Sequence, residues 1–567
     1  MKCKTSYNWT KYKQLRNLKT KIKRHSIRTY FHERCSEGPK GKDFWHTIKP
    51  FLSKKTQTKG NDEIILKENE DLISEQNEIC NILNNFYVNI ADNIGISDKT
   101  PSDETHPSIQ KIREHTSSNA SFDFQPVNHS SIKKYLTKLN PKKATGVDTI
   151  PPKLLRYAAD TIAQPIADIA NGMLDCHEFP AKLKLAQVTP VFKKDDPFIK
   201  KNYRPVSILP SISKIFERII NDQLSQYFEN IFNQFLSAFR PKFGCQTTLI
   251  KLIEDWKSSL DRGEHVAAVL MDLSKAFDCL PHDLTLSKLK AYGLSENSCK
   301  LVKSYLTDRR QRVRVGQSHS SWQNTTKGVP QGSILGPLIF NIFMNDIFFF
   351  TTKTTLYNYA DDNTLSYSHK NTDTLKHVLE QESDTLIKWF NVNQMQANPD
   401  KFQAIAVGRG AHDRLESLTI NNTTIHCEES VKLLGIDIDF MLNFNKHISN
   451  LCKKAATQLD ILLRLSKFLK PENKLLIYKS FIKSNFNYCP LVWHFCSKTD
   501  TDKLEKLQHR ALKIAYSDFN TDYETLLHKA NMPTLHQSRI RTIALEAFKC
   551  LHKLNPAYLH DMIKIQT

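Results

Sequence analysis

Between residues 264 and 439 short β-prone runs alternate with helical patterns, whereas residues 131–240 and the chain after Asn443 space their apolar positions as helices joined by short loops. The run Val266-Ala267-Ala268-Val269-Leu270-Met271 has no polar break, which suits a buried strand, and it ends in Asp272. Two more β-prone runs, 354–359 and 364–367, flank Ala360-Asp361-Asp362-Asn363, the pattern of a hairpin with acidic residues at its tip. Leu335, Leu338, Ile339, Ile342 and Phe343 recur at i, i+3, i+4, i+7 and i+8, so they predict a helix whose apolar stripe faces the core. Upstream, a basic helical stretch precedes a polar linker at 54–61, an amphipathic segment at 75–94 and a second linker at 97–121, rich in Ser, Thr, Pro and His. At the far end Leu504, Leu507, Ala511 and Leu512 share a helix face near Lys503, Lys506, Arg510 and Lys513. No internal repeat is visible. The pattern predicts an α+β core with a basic helical appendage.

A length of 567 residues, 40% hydrophobic and 25% charged, adds only that this is a folded chain of more than one domain. Charge adds more. Residues 1–60 hold 17 Lys+Arg against 3 Asp+Glu (+14) and residues 441–567 hold 20 against 10 (+10), so the stretch between carries −3 of the net +21 and the basic excess sits at the two ends. Basic flanks around a near-neutral middle fit a nucleic acid gripped about a metal-dependent centre. The cluster Lys19, Lys21, Lys23 and Arg24 reads equally as a nuclear address or as part of that grip.

Twelve cysteines form no CxxC pair. Cys489, His494 and Cys496 come nearest to a zinc set, but Leu491, Val492, Trp493 and Phe495 among them read as a packed apolar segment. A reduced intracellular setting, nucleus or cytoplasm, is expected. No membrane association is expected: the start lacks an apolar signal, and the run 334–350 is broken by Asn341, Asn345 and Asp346.

The candidate chemistry follows from the acidic positions. Mg²⁺ takes hard oxygen ligands, usually one or two carboxylates plus substrate phosphates, and two such ions clamp the attacking and leaving oxygens of a phosphoryl transfer. Asp272 at a strand end and Asp361 at a hairpin tip are the residues to supply that clamp. Asp362 points to the opposite side by strand alternation unless the turn twists it.

Tyr359-Ala360-Asp361-Asp362 resembles the YxDD box of reverse transcriptases, and residues 272–277 resemble their first palm motif. Gly328-Val329-Pro330-Gln331-Gly332-Ser333-Ile334-Leu335-Gly336-Pro337 is similar to the template- and nucleotide-positioning motif, and Asn202-Tyr203-Arg204-Pro205-Val206-Ser207 to a fingers motif of LINE-type enzymes. Ala144-Thr145-Gly146-Val147-Asp148, Phe239-Arg240 with Gly244, Asn398-Pro399-Asp400-Lys401 and Leu433-Leu434-Gly435 keep the family order. The resemblance covers roughly residues 130 to 440 and is nearest to jockey-like, non-LTR (LINE-type) elements.

That resemblance implies a right-hand polymerase fold of fingers, palm and thumb. Residues 1–125 would be a basic helical N-terminal region with linkers, 126–173 the N-terminal part of the fingers, 174–440 the reverse transcriptase domain, and 441–567 a helical thumb-like region. It implies an RNA template, a DNA primer and deoxynucleoside triphosphates, with two Mg²⁺ ions (Mn²⁺ as the substitute) on Asp272, Asp361 and Asp362. Arg204 and one of Lys193 or Lys194, Lys194 being preferred, would cradle the triphosphate. Phe277 would stand against the sugar and clash with a 2′-hydroxyl, which disfavours an RNA-copying RNA polymerase. Gln331 and Gly332 would contact the nucleotide, and Gly328 and Gly332 would allow the backbone close to it. Ser333 would cap the helix that follows. Lys401 would protonate the leaving pyrophosphate. Leu434 and Gly435 would form the primer grip, where the family more often has an aromatic residue than Leu434. No upstream endonuclease is expected in this chain. A nucleic-acid-binding remnant without catalysis is the alternative; its mark would be loss of Asp272, Asp361 or the glycine motif, and none is lost.

Overall fold

The computed structural model describes residues 6–35, 41–52, 63–93, 105–117 and 121–562. It divides into two compact units, one of residues 1–57, 435–439 and 443–552, the other of residues 58–434, 440–442 and 553–567. Seven strands of the second unit frame the site: β1 (Leu185–Phe192), β2 (Tyr203–Ile208), β3 (His265–Met271), β4 (Arg309–Val315), β5 (Thr355–Tyr359), β6 (Asp362–His369) and β7 (Gln403–Val407).

Strand β3 lies inside an antiparallel sheet of order β7-β3-β6-β5, and every residue from Val266 to Met271 is buried. Burial on both faces explains why its sequence shows no alternation. The helices Cys245–Asp261 and Thr372–Val392 pack on it. Helix Gly336–Met344 is buried at every position but Pro337, so the expected stripe is a whole surface. Each polar residue that breaks this apolar run has a partner inside the protein. Asn341 donates to the Ala238 carbonyl, and Asp346 pairs with the equally buried Lys288 at 2.5 Å while accepting from Trp389 Nε1 at 2.7 Å. No helix among the described residues is long and apolar enough to cross a membrane.

A second sheet runs β2-β1-β4, with β1 antiparallel to β2 and parallel to β4. Strands β1 and β2 fall inside a stretch expected to be helices and loops; Pro190 and Pro205 mask them, and the two prolines stand directly opposite one another in register. Helix Gln76–Val88, capped by Glu75, packs on β4 and shares a core with Val188, Tyr203, Val313 and Val315, as its amphipathic pattern requires.

Two expectations are corrected. Within the presumed linker 97–121, Pro107–His115 is a helix that opens with Pro at its first turn and buries Ser108, Ile109 and Ile112; three buried positions are too few to stand out among its polar neighbours. The linker 54–61 lies outside the described residues. In the first unit Trp493, Val492 and Cys489 are buried as expected, but Phe495 is 83% exposed, because this segment is a series of turns whose neighbours share no face. No group of three metal-ligating side chains occurs there or elsewhere among the described residues.

Candidate active site

Asp272 is the first residue after β3, and β3 pairs with β6, which begins at Asp362, so that Met271 stands opposite Asn363. Sheet register alone therefore brings the strand end and the hairpin tip together. Tyr359 pairs with Asp362, leaving Ala360 and Asp361 as a two-residue loop in which Ala360 has φ +58°. Such a conformation in a non-glycine residue needs support. Buried Asn358 supplies it: its Nδ2 donates to the Ala360 carbonyl at 2.8 Å and to Asn363 Oδ1 at 2.9 Å, and Asn363 donates to the Asp361 carbonyl at 3.2 Å. Sequence reasoning placed Asn363 in the hairpin tip but missed its bonds, and it missed Asn358 altogether. A polar residue inside a strand that is otherwise apolar was the available signal.

Burial holds the Asp361 carboxyl above its usual range and Asp272 adds to the shift, while Arg204 and Lys193 oppose it. Asp362 is pushed up to about 6 by desolvation first, then by Asp361 and Asp272. Two carboxylates raised in this way beside a third form a site for a cation. Among the described residues no three such side chains are gathered closely enough to hold an ion unaided. One or two carboxylates completed by water and phosphate is nevertheless what Mg²⁺ commonly takes, so the donor set fits. Lys401, at the end of the short turn Pro399–Lys401, lies 3.7 Å from Asp272.

The glycine motif bridges strand β2 and the helical turn that follows β3. Gly328 N–H donates to the Leu280 carbonyl and Val329 N–H to the Phe277 carbonyl, at 2.8 and 3.0 Å; on the other side Ser207 N–H donates to the Gln331 carbonyl at 2.8 Å. A Cβ on Gly328 (φ +76°) would sit 2.6 Å from the Asp278 carbonyl oxygen, and one on Gly332 (φ +124°) 2.6 Å from that of Ser207. The close backbone approach expected of these glycines is thus made first to the protein itself. Ser333 Oγ accepts from Gly336 N–H at 3.0 Å, the cap expected of it. Fully buried Glu217 accepts from Ile334 N–H at 2.5 Å and Leu335 N–H at 3.2 Å; burial pushes its pKa up, against the pull of Arg309. Gln331 Nε2 donates to both oxygens of Asp278, at 2.8 and 2.9 Å. Neither Glu217 nor Asp278 was singled out from sequence. Glu217 shares a helical stripe with Ser213, Ile220 and Leu224, and an acid at a core position was its signal.

Arg204 projects from β2 as an exposed side chain whose charge reaches Asp361 and Asp278. Of the two candidate lysines, Lys193 acts on Asp361 and Asp362, whereas exposed Lys194 stands 4.0 Å from Asp195. Phe277 stacks on Phe340 with centroids 4.2 Å apart and meets Phe239 edge-on at 5.9 Å, so its ring is held against the core and only partly buried. Leu434 (φ +46°) and Gly435 (φ +84°) both take left-handed conformations, the requirement of a tight I′ turn.

Residues 191–438 match the family of reverse transcriptases (RNA-dependent DNA polymerases). The chain is 28% identical over 405 residues to the RNA-directed DNA polymerase from mobile element jockey of Drosophila funebris, an overlap of 68% of this chain and 44% of that protein. It is 28% identical over 409 residues to the jockey polymerase of Drosophila melanogaster, covering 69% and 44%. With the probable RNA-directed DNA polymerase from transposon BS of the same species it shares 27% identity over 438 residues, covering 74% and 48%. The chain spans just under half the length of these relatives. Residues 191–438 thus match the reverse transcriptase family, and the similarity over about 70% of the chain is to polymerases of jockey and other non-LTR mobile elements.

Proposed function

We propose that this chain is an RNA-directed DNA polymerase of a non-LTR retrotransposon, extending a DNA primer along an RNA template. The primer 3′-oxygen forms a bond to the α-phosphorus of a deoxynucleoside triphosphate, the bond from that phosphorus to the α,β-bridging oxygen breaks, and pyrophosphate leaves. The observation that carries this reading is the convergence of Asp272 with Asp361 and Asp362 on adjacent strands, where Asp272 raises the proton affinity of both Asp361 and Asp362.

Reverse transcriptases generally work with divalent metal ions. Asp272 and Asp361 would hold two Mg²⁺ ions with Asp362 beside them, and the bound metal would neutralise charge developing on the transferred phosphoryl group. Arg204 with Lys193 or Lys194 would hold the triphosphate, and Lys401 would deliver a proton to the leaving pyrophosphate. Phe277 would exclude a 2′-hydroxyl. Leu434 and Gly435 would hold the primer end. Residues 174–440 would act as fingers and palm, 126–173 as the start of the fingers and 441–567 as a thumb.

Primer extension on an RNA template with Mg²⁺, comparing deoxynucleotides with ribonucleotides, tests the proposal. We expect extension with deoxynucleotides alone, abolished by EDTA and by Asp361→Ala. A folded wild-type chain that binds primer–template and extends nothing would overturn it.

A further inference from the structure

Directly after Phe277 stands a carboxylate with no role in the chemistry above. Asp278 closes the single helical turn Ala276–Cys279, and it lines one narrow cavity together with Gln331 and Tyr87. Its two oxygens both accept from the same Gln331 Nε2, while its own main chain packs under Gly328. A carboxamide has a donor end and an acceptor end of nearly equal size, and in most settings it can turn over. An ionised carboxylate accepts only, so it selects the amino end and drives the oxygen to the opposite side. The main chain of Gln331 is pinned as well, by the Ser207 N–H on its carbonyl, so the amide is left with a single orientation. Burial raises the pKa of Asp278, and the Gln331 bonds, Lys275 and Arg204 oppose that rise.

We infer that Asp278 is a positioning residue for nucleotide binding: it locks the Gln331 carboxamide with its oxygen turned away from Asp278, a fixed acceptor for the incoming nucleotide. The inference rests on the polymerase reading and goes beyond it, because Asp278 is not among the residues assigned there to metal or substrate. Holding the amide in advance removes the rotational entropy that binding would otherwise cost, so the effect belongs in KM.

The test is a cycle of Asp278→Asn, Gln331→Leu and the double variant, with KM and kcat for a deoxynucleoside triphosphate measured by primer extension. Asn keeps the shape of Asp but offers donor and acceptor alike, so the amide can turn over. We expect Asp278→Asn to raise KM about tenfold, the worth of a hydrogen bond to a charged group, with kcat within about threefold of wild type. The double variant should be no worse than Gln331→Leu alone, because both remove one interaction. An unchanged KM in Asp278→Asn, or effects that multiply in the double variant, would overturn the inference. Should the wild-type chain extend nothing, the polymerase reading fails separately. The amide is then read directly, by solvent exchange of the Gln331 side-chain NH₂ in glutamine-labelled protein, its signal assigned by its loss in Gln331→Leu. Protection that disappears in Asp278→Asn supports the lock, and exchange as fast as in an exposed glutamine refutes it.

Discussion

Asn358 shows how much of the hairpin tip depends on a residue with no chemistry of its own. One amide spans the Ala360 carbonyl and the Asn363 side chain, and its removal leaves buried polar groups without partners. Asn358→Leu should therefore cost about 1–3 kcal/mol of stability, read as a lower urea midpoint at unchanged slope. It should also lower kcat more than KM, because the loop that it supports carries Asp361. Gly332→Ala makes a sharper claim. The added methyl meets the Ser207 carbonyl oxygen at 2.6 Å, and the φ of +124° is one that alanine resists, so the backbone beside β2 must shift. We expect primer extension to fall at least tenfold while far-ultraviolet circular dichroism stays that of the wild type; full activity in a folded variant would show that the motif tolerates displacement.

Elements are held together by groups that sequence patterns do not reveal, and two of these make predictions. Buried His282 is joined to the Gly328 carbonyl through Nε2 at 2.7 Å. Burial holds its pKa below the ordinary value, with Arg309 acting the same way and the Gly328 bond and Asp283 opposing. Above pH about 6.5 the ring is neutral in both states and its contribution is complete. As pH falls through that value, the unfolded chain takes up a proton that the folded chain resists, so stability is lost. His282→Gln keeps a donor but does not titrate; the difference in urea midpoint between wild type and this variant should shrink between pH 7.5 and 5.5, and a constant difference would refute the assignment. Lys288 and Asp346 form a fully buried pair. Lys288→Met should cost about 3–5 kcal/mol by leaving Asp346 uncompensated, with Lys288→Met/Asp346→Leu recovering most of that loss in thermal unfolding. These cases also mark the limit of what the sequence makes legible. Strand β3 with its terminal Asp272, the acidic hairpin and the buried helix after Ser333 are local patterns and were readable. Strands β1 and β2 were not, since each carries a proline that normally argues against a strand. Gln331–Asp278 and Glu217–Ile334 join residues 53 and 117 positions apart, and no periodicity reports such contacts.

At the scale of the whole molecule the unused feature is charge. Residues 1–60 carry 17 Lys+Arg against 3 Asp+Glu, and much of this lies on the 30-residue helix Ser6–Cys35, about 45 Å long at 1.5 Å per residue. Lys19, Lys21, Lys23 and Arg24 are all exposed on it. A polyanion that binds such a surface gives up condensed counterions, so the logarithm of the affinity falls linearly with that of the salt concentration, by about 0.9 for each phosphate contacted on a duplex. Replacing these four residues with Gln should leave the fold within about 0.5 kcal/mol of wild type, because exposed side chains contribute little. If all four meet phosphates, the salt slope for an RNA–DNA primer–template should become shallower by up to about 3.6. Affinity at low salt should fall alike for every sequence tested, and kcat at saturating primer–template should not change. An unaltered slope would assign the cluster to something other than template or primer, and the nuclear-address reading of the same four residues would then be tested by the distribution of the variant between nucleus and cytoplasm.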